Sequence, residues 1–209
     1  MNHNRYTIYI VLAVITVIMI ILAIVSRDAT GFPWAWIFTR VAGLLSYVLI
    51  ALLSVTGILQ TTGLIYRLFS PATTWSLHRA IASTLLVSVV VHVGALLFDK
   101  FMNLSLVNVL VPFTSPYRPI LITLGIGGFY LLLLVLLTSL YNITSQPRFW
   151  RTIHFFGIIM FGLIFLHGIL IGTDTHHSWV KALYWLTAIP VFLAAAYRLW
   201  WKYRIPAKR

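Results

Sequence analysis

The sequence predicts an all-α integral membrane protein in which six transmembrane helices form one bundle. Hydrophobic residues make up 61% of the chain and charged residues only 9%, and the mean hydropathy of +0.97 is too high for a water-soluble domain of this size. The apolar residues also fall in runs of about twenty, the length of helix that crosses a hydrocarbon core of roughly 30 Å. We therefore expect residues 1–209 to form a single transmembrane domain in contact with membrane lipid. The predicted spans cover residues of about 6–25, 41–61, 76–98, 120–141, 149–172 and 179–199.

The first three spans are bounded by residues that suit helix ends and bilayer interfaces. The first span has no small-residue cleavage site, so we expect it to remain as a helix. Trp34 and Trp36 lie in the linker before the second span, and tryptophan favours the membrane–water interface. Ser70 and Pro71 predict the break before the third span, because proline is accepted in the first turn of a helix. Asp99 ends the third span.

The second half of the chain continues the same pattern without an evident internal repeat. Residues 101–119 contain several prolines, so we expect this loop to lie along the outer interface as a partial cap instead of crossing the membrane. Gly125, Gly127 and Gly128 in the fourth span favour close contact between helices. A brief polar turn at residues 173–178 leads into the sixth span, which ends in a basic tail.

The basic residues predict the orientation of the bundle. The net charge is +12, yet the basic side chains lie at the ends of apolar runs and not on one polar face, which excludes a nucleic-acid-binding surface. Ten of the 15 basic residues and none of the three acidic ones fall on the side that carries both termini. The positive-inside rule therefore predicts cytoplasmic termini and a multi-pass protein of the inner cell membrane. The absence of cysteine excludes disulfides, thiolate metal ligands and covalent cofactor attachment through a Cys motif.

Four histidines lie within the predicted spans and form two level pairs. His78 and His92 in the third span are separated by about 21 Å of helical rise, and His154 and His167 in the fifth span by about 20 Å. Because both spans begin in the cytoplasm, His78 lies level with His154, and His92 lies level with His167. Each level offers two facing imidazoles, the axial ligand set of a six-coordinate haem iron between the third and fifth helices. A single buried histidine would be better explained by a hydrogen bond between helices, but four in two level pairs favour haem ligation.

The angular positions of the four histidines around their helices agree less well with two facing pairs than their heights along the helices do. Fourteen residues at roughly 100° each return to within about 40° of the same helix face, whereas thirteen leave an offset of about 140°. Either glycines at positions 157, 162 and 168 bend or tighten the fifth helix, or its two histidines approach their haems from different sides.

The histidine-bearing stretches resemble a known family. The pattern WSLHR…H at residues 75–92 and the pattern WRTIH…LH at residues 150–167 are similar to the ferric-reductase-like transmembrane domain family, the six-helix di-haem core shared with NADPH oxidases and metalloreductases. The resemblance covers nearly the whole chain. The stretches YRPILITLG at residues 117–125 and LTS at residues 137–139 also resemble the haem-binding membrane subunit of the bacterial methionine-sulfoxide reductase system.

This resemblance implies a di-haem b-type cytochrome that carries electrons across the membrane. It implies His78 and His154 as ligands of an inner haem b, and His92 and His167 as ligands of an outer one. The thirteen-residue spacing in the fifth helix also occurs in the family. The family's flavin- and nicotinamide-binding domains normally follow the sixth helix, whereas this sequence ends at Arg209 and contains no glycine-rich dinucleotide fingerprint.

We therefore expect the chain to act as the electron-transfer subunit of an oxidoreductase with separate redox partners. The expected donor is a flavoprotein reductase, a bound flavin or a membrane quinol. The expected acceptor at the outer face is a metal ion such as ferric iron, oxygen, or a periplasmic protein. Arg79 and Arg151 are candidates for contacts with haem propionates, although an equally good interpretation is that both are cations snorkelling to the inner interface.

Two other functions are compatible with an apolar bundle. A quinol-linked cytochrome b subunit also stacks two haems, but it commonly has a polar quinone pocket, and the three acidic residues of this chain lie outside the predicted spans. A transporter or structural membrane protein without a cofactor would need a polar pathway that the predicted spans do not provide. For the turn that contains Asp174, His176 and His177, a solvated loop is a better explanation than a cation site.

Overall fold

The computed structural model describes residues 33–141 and 143–204, so the first predicted span, at about residues 6–25, lies outside the described residues. Every regular element in the described part of the chain is helical, and five helical segments are long and apolar enough to cross a membrane. The described chain is therefore a multi-pass membrane bundle. Its helices are α1 (Trp34–Thr62), α2 (Pro71–Phe98), α3 (Leu106–Leu110), α4 (Pro119–Tyr141), α5 (Pro147–Phe155), α6 (Gly157–Ile171) and α7 (Ser178–Arg204).

The second to sixth predicted spans correspond in order to α1, α2, α4, the α5–α6 pair and α7, with longer helices than the sequence predicted. Helix α1 begins at Trp34, about two turns before the predicted start, so the interfacial tryptophans belong to the helix and not to a linker. Helix α7 continues to Arg204, past the predicted end at residue 199. Hydropathy underestimates the length of both helices because their terminal turns carry aromatic and basic residues that reach the interface.

Local capping explains the boundary between α1 and α2. Gly63 follows α1 with a φ of 76°, a left-handed conformation that glycine adopts without a Cβ clash. The Ser70 hydroxyl accepts a 3.1 Å hydrogen bond from the backbone N–H of Thr73, and Pro71 occupies the first helical position. The predicted break at Ser70 and Pro71 is therefore confirmed.

The segment between α2 and α4 does not cross the bundle but folds back over one of its ends. Its short helix α3 is held by a capping box in which Ser105 and Asn108 bond each other's backbone N–H groups. The Tyr130 hydroxyl of α4 donates to the Leu110 carbonyl at 2.6 Å, which ties this segment to α4. Leu104 and Val109 are buried against α4 residues in a small apolar cluster.

Helix α1 is at the centre of the packing. It packs most extensively against α2 and also contacts α6 and α7, while α4 packs mainly against α6. Tyr47 of α1 is only 1% exposed, and its hydroxyl donates to the Tyr184 carbonyl of α7 at 2.9 Å. Phe161 of α6 packs on the same tyrosine ring. The main core therefore joins both histidine-bearing segments through α1.

The fifth predicted span is divided at Phe156, which separates α5 from α6. The Phe156 N–H bonds to the carbonyl of Ile153, three residues back, at 3.0 Å. Such a 3₁₀-type bond winds the chain by about 120° per residue instead of about 100°. The break lies between His154 and His167 and immediately before Gly157, so this segment is not the regular helix for which the angular offset was calculated.

Candidate functional site

The four intramembrane histidines occur in two places in the bundle. We call His78 and His154 the lower pair, and His92 and His167 the upper pair. The ring centroids of the lower pair are 6.1 Å apart. The upper pair lines a single cavity of about 600 Å³ between the helices. The structure thus brings His78 to His154 and places His92 and His167 around one space, the same combinations that the two-level prediction contains.

The upper pair is oriented by backbone carbonyl groups of neighbouring helices. Nδ1 of His92 lies 2.7 Å from the Thr39 carbonyl oxygen of α1, and Nδ1 of His167 lies 2.7 Å from the Leu121 carbonyl oxygen of α4. A carbonyl oxygen only accepts hydrogen bonds, so each Nδ1 carries the hydrogen and donates it. Each Nε2 therefore keeps its lone pair. Histidines that bind metals usually have their second nitrogen held in this way.

A glycine lies one turn after each of these carbonyl groups. Gly43 follows Thr39 by four residues, and a Cβ at Gly43 would lie 2.8 Å from Nδ1 of His92. Gly125 follows Leu121 by four residues, and a Cβ there would lie 2.8 Å from Cε1 of His167. Each upper imidazole therefore rests directly on a helix backbone, in a niche formed by a carbonyl group and a glycine.

The lower pair is oriented by hydroxyl groups at longer distances. Nδ1 of His78 lies 3.4 Å from Oγ1 of Thr56, and Nδ1 of His154 lies 3.5 Å from Oγ of Ser139. The Thr56 hydroxyl donates its only hydrogen to a carbonyl of its own helix at 2.7 Å, as does the Ser139 hydroxyl. In all four histidines Nδ1 therefore faces an oxygen of a neighbouring helix, which leaves Nε2, the other ring nitrogen, available to bind a metal.

Trp150 supports the lower pair, a role that its position in the sequence does not predict. Its indole N–H donates to Oγ of Ser139 at 3.0 Å, and its ring centroid lies 5.2 Å from that of His154. Trp150 and His154 are four residues apart and thus on one face of α5. The four-residue spacing of Trp150 and His154 is the sequence feature that could have indicated this contact. It is not sufficient, because a tryptophan near the end of a span is equally expected at the bilayer interface.

The supports of the histidines recur in the two halves of the described chain. In each half, the helix before the histidine-bearing segment provides a carbonyl–glycine niche for one histidine and a hydroxyl for the other. Helix α1 does this for α2, and α4 does this for α5 and α6. Leu121 and Ser139 are eighteen residues apart, five full turns, so His154 and His167 contact the same face of α4. The two histidines therefore meet one face of the neighbouring helix despite the offset of about 140° calculated for a regular fifth helix.

The histidine pairs fit a haem better than a bare metal ion. In the described part of the chain, no group of three or more His, Cys, Asp or Glu side chains is placed to hold a metal ion. A haem macrocycle provides four equatorial nitrogens, so two axial imidazoles complete its coordination. Two metal–nitrogen bonds of about 2.0–2.1 Å plus two ring radii of roughly 1.2 Å require centroids about 6.4–6.6 Å apart, and the lower pair, at 6.1 Å, is within about half an ångström of that separation. The upper cavity of about 600 Å³ is within the range of cofactor pockets.

The rim of the upper cavity carries an ion pair that the sequence analysis did not predict. The Arg40 guanidinium bonds to the Asp174 carboxylate and to the Thr173 hydroxyl, and it lies 3.7 Å from the Trp36 ring centroid. These contacts tie α1 to the turn Thr173–His176. The Asp174 carboxylate is thus engaged by a cation of its own chain.

The two arginines proposed for propionate contact have exposed side chains. Arg79 follows His78, and Nε of Arg151 donates to the Pro147 carbonyl one turn back along α5 at 3.1 Å. A third cation, the half-buried Arg198, packs against the helix that carries His154, although the sequence does not single it out. The Arg198 guanidinium of α7 is 5.7 Å from the Phe155 ring centroid, beside His154 in sequence. Arg198 lies near the end of the sixth predicted span, where a basic residue is equally expected at the membrane interface.

The proposed family relationship depends on the histidine patterns and not on a detected relative. Comparisons with protein-family models, with curated proteins and with solved structures found no match for this chain.

Proposed function

We propose that this protein is a di-haem b-type cytochrome that carries electrons between the two faces of the inner cell membrane. The observation that supports the proposal best is the shared orientation of His78, His92, His154 and His167. All four rings turn Nδ1 toward an oxygen of a neighbouring helix, which leaves Nε2 available as a ligand within an apolar bundle. An intramembrane histidine that served only to link helices would have no need for this uniform arrangement.

The residues of the chain would hold, orient and shield the two cofactors. His92 and His167 would bind the upper haem and His78 and His154 the lower one, and the bound haems would supply one-electron redox chemistry. The two levels are separated by about 21 Å along α2. The bulky apolar side chains around the upper cavity, such as Leu85, Ile126 and Met160, would exclude water.

We place the electron donor at the lower end of the bundle and the acceptor at the upper end. The described residues at the lower end include several basic side chains and no acidic one, whereas Asp99 and Asp174 lie at the upper end. The positive-inside rule then makes the lower end cytoplasmic. A flavoprotein reductase, a bound flavin or a membrane quinol would reduce the lower site. A metal ion, oxygen or a periplasmic protein would be reduced at the upper site, as in the resembling family.

Haem analysis of the purified protein tests this proposal. The protein would be expressed with sufficient haem, purified in detergent and examined by reduced-minus-oxidised spectra and by a pyridine haemochrome assay. We expect two b-type haems per chain. A colourless protein under these conditions would contradict the proposal and favour a transporter or structural role. Addition of a quinol or of a flavin reductase, followed by haem absorbance, would then identify the class of donor.

A further inference from the structure

Two buried polar atoms of α1 have no hydrogen-bond partner. Within the described residues, the only such side-chain atoms are Oγ1 of Thr39 and Nε2 of Gln60. A polar group left unpaired in an apolar interior is unfavourable by a few kcal/mol, and water is scarce in a membrane bundle. These two atoms therefore call for a partner that the polypeptide does not supply.

The other serine and threonine hydroxyls of α1 show how such groups are normally satisfied in this helix. Most of them donate to a backbone carbonyl three or four residues earlier, and one donates to Ser88 of α2; they belong to Ser46, Ser54, Thr56, Thr61 and Thr62. Thr39 had the same option of bonding back along the helix and does not use it.

The two unpaired atoms have corresponding positions relative to the histidines. Thr39 lies one turn before Gly43, holds His92 through its carbonyl group and lines the upper cavity. Gln60 lies three residues after Gly57, where a Cβ would be 3.5 Å from the ring of His78. Each atom is thus displaced from its histidine toward the nearer end of the bundle. An amphipathic cofactor would direct its carboxylates toward these ends, because a charge is less costly near the membrane surface.

We propose that Thr39 and Gln60 are hydrogen-bond donors to the carboxylate edges of the two haems, an inference that rests on the function proposed above. Oγ1 of Thr39 serves the haem of the upper pair, and Nε2 of Gln60 serves the haem of the lower pair. Arg40 is a weaker candidate for the upper haem because Asp174 and Thr173 already occupy its guanidinium. Both residues are positioning residues, since the iron ligands are the histidines.

Removal of the two donors, one at a time, tests the inference. Thr39→Val and Gln60→Met preserve side-chain size, and Thr62→Val is the matched control because the Thr62 hydroxyl bonds to its own backbone at 3.1 Å. The readouts are haem transfer to apomyoglobin and the midpoint potential of each haem. A hydrogen bond to a charged group contributes about 1.5–3 kcal/mol, so we expect one of the two haems to leave at least about tenfold faster in each variant. The potential of that haem should fall, because a less stabilised carboxylate favours ferric iron.

Two further variants connect the effect of Thr39→Val to the upper site. In a His92→Ala background, which lacks the upper haem, Thr39→Val should have no additional effect on haem retention. Thr39→Ser keeps the hydroxyl and should retain haem like the wild type. In haem-depleted protein, Thr39→Val should not lower the midpoint of thermal unfolding, because its hydroxyl has no protein partner to lose.

The outcomes separate this inference from the proposed function. A wild-type protein without haem would overturn both. A wild-type protein with two haems, whose retention and potentials are unchanged in Thr39→Val and Gln60→Met, would overturn this inference and leave the proposed function intact. A loss of stability in haem-depleted Thr39→Val would also contradict it, because the hydroxyl would then have a partner within the protein.

Discussion

The upper and lower pairs contain the same residue type but are held by different parts of the polypeptide. The upper rings donate to main-chain carbonyl groups at 2.7 Å and rest on glycines, whereas the lower rings face side-chain hydroxyls at 3.4 and 3.5 Å. A carbonyl within a helix has a fixed direction, while a hydroxyl can rotate and depends on its own side chain. The upper site is thus preorganised by the backbone, and the lower site is adjustable through Thr56, Ser139 and Trp150.

Removal of single ligands should have the largest effect and tests whether the pairs are independent. If the chain binds two haems as proposed, we expect His92→Ala to lose about one of them and to retain the lower one, and His78→Ala to show the reverse, because each substitution would remove one of the two histidines of a level. The pyridine haemochrome assay together with redox titration would show which haem remains. Loss of both haems in either variant, or of neither, would contradict the assignment of two separate levels.

Substitution of the niche glycines should have the next largest effect and should be confined to the upper site. In Gly43→Ala and Gly125→Ala, the new methyl group would lie 2.8 Å from an imidazole ring. Overpacking of this kind costs typically about 1–3 kcal/mol, so upper-haem affinity should fall by between about fivefold and about 150-fold. Haem content per chain measures the effect.

The controls for the glycine substitutions lie in the same helices. Gly57→Ala places its Cβ 3.5 Å from His78, and Gly127→Ala places its Cβ 3.5 Å from Leu163, both ordinary contacts. We expect both variants to retain two haems. If Gly57→Ala disturbed haem binding as strongly as Gly43→Ala, the contrast between a backbone-held site and a side-chain-held site would be wrong.

Removal of a lower-site hydroxyl should have a smaller effect. Ser139→Ala deletes the acceptor of both His154 and Trp150, but the histidine contact is long and therefore weak. We expect less than a tenfold loss in retention of the lower haem and a rise in its potential, because a ligand without an Nδ1 acceptor donates less electron density. Redox titration measures the potential. A shift in the upper haem instead would show that Ser139 supports the other level.

The ion pair at the upper rim should make the smallest contribution. Arg40 and Asp174 are about a quarter exposed, at 25% and 26%, so water screens their attraction. A double-mutant cycle of Arg40→Met and Asp174→Asn should give a coupling energy of about 0–1 kcal/mol by thermal unfolding in detergent. A much larger coupling would indicate that closure of the turn Thr173–His176 over the cavity is integral to the upper site.

Several features of the fold and site were predictable because they depend on local chemistry. A run of about twenty apolar residues is sufficient to predict a span, and Ser70 and Pro71 are sufficient to predict the break before α2. The predicted third span began at about residue 76, whereas the helix begins at Pro71. The four intramembrane histidines are visible as exceptions in apolar runs. The longer extents of α1 and α7 were missed because aromatic and basic residues at the interface reduce the hydropathy of helical turns.

The apolar runs and the histidines within them were enough to predict the helical membrane class of this protein and the order of its described spans. The packing of the helices was needed to learn that Thr39 and Leu121 hold the upper rings, that the fifth span is divided at Phe156 and that Trp150 contacts Ser139. The reason is physical. In a membrane, both the lipid-facing and the core-facing sides of a helix are apolar, so sequence periodicity carries little information about helix rotation and register. Helix rotation and register determine which acceptor each imidazole contacts.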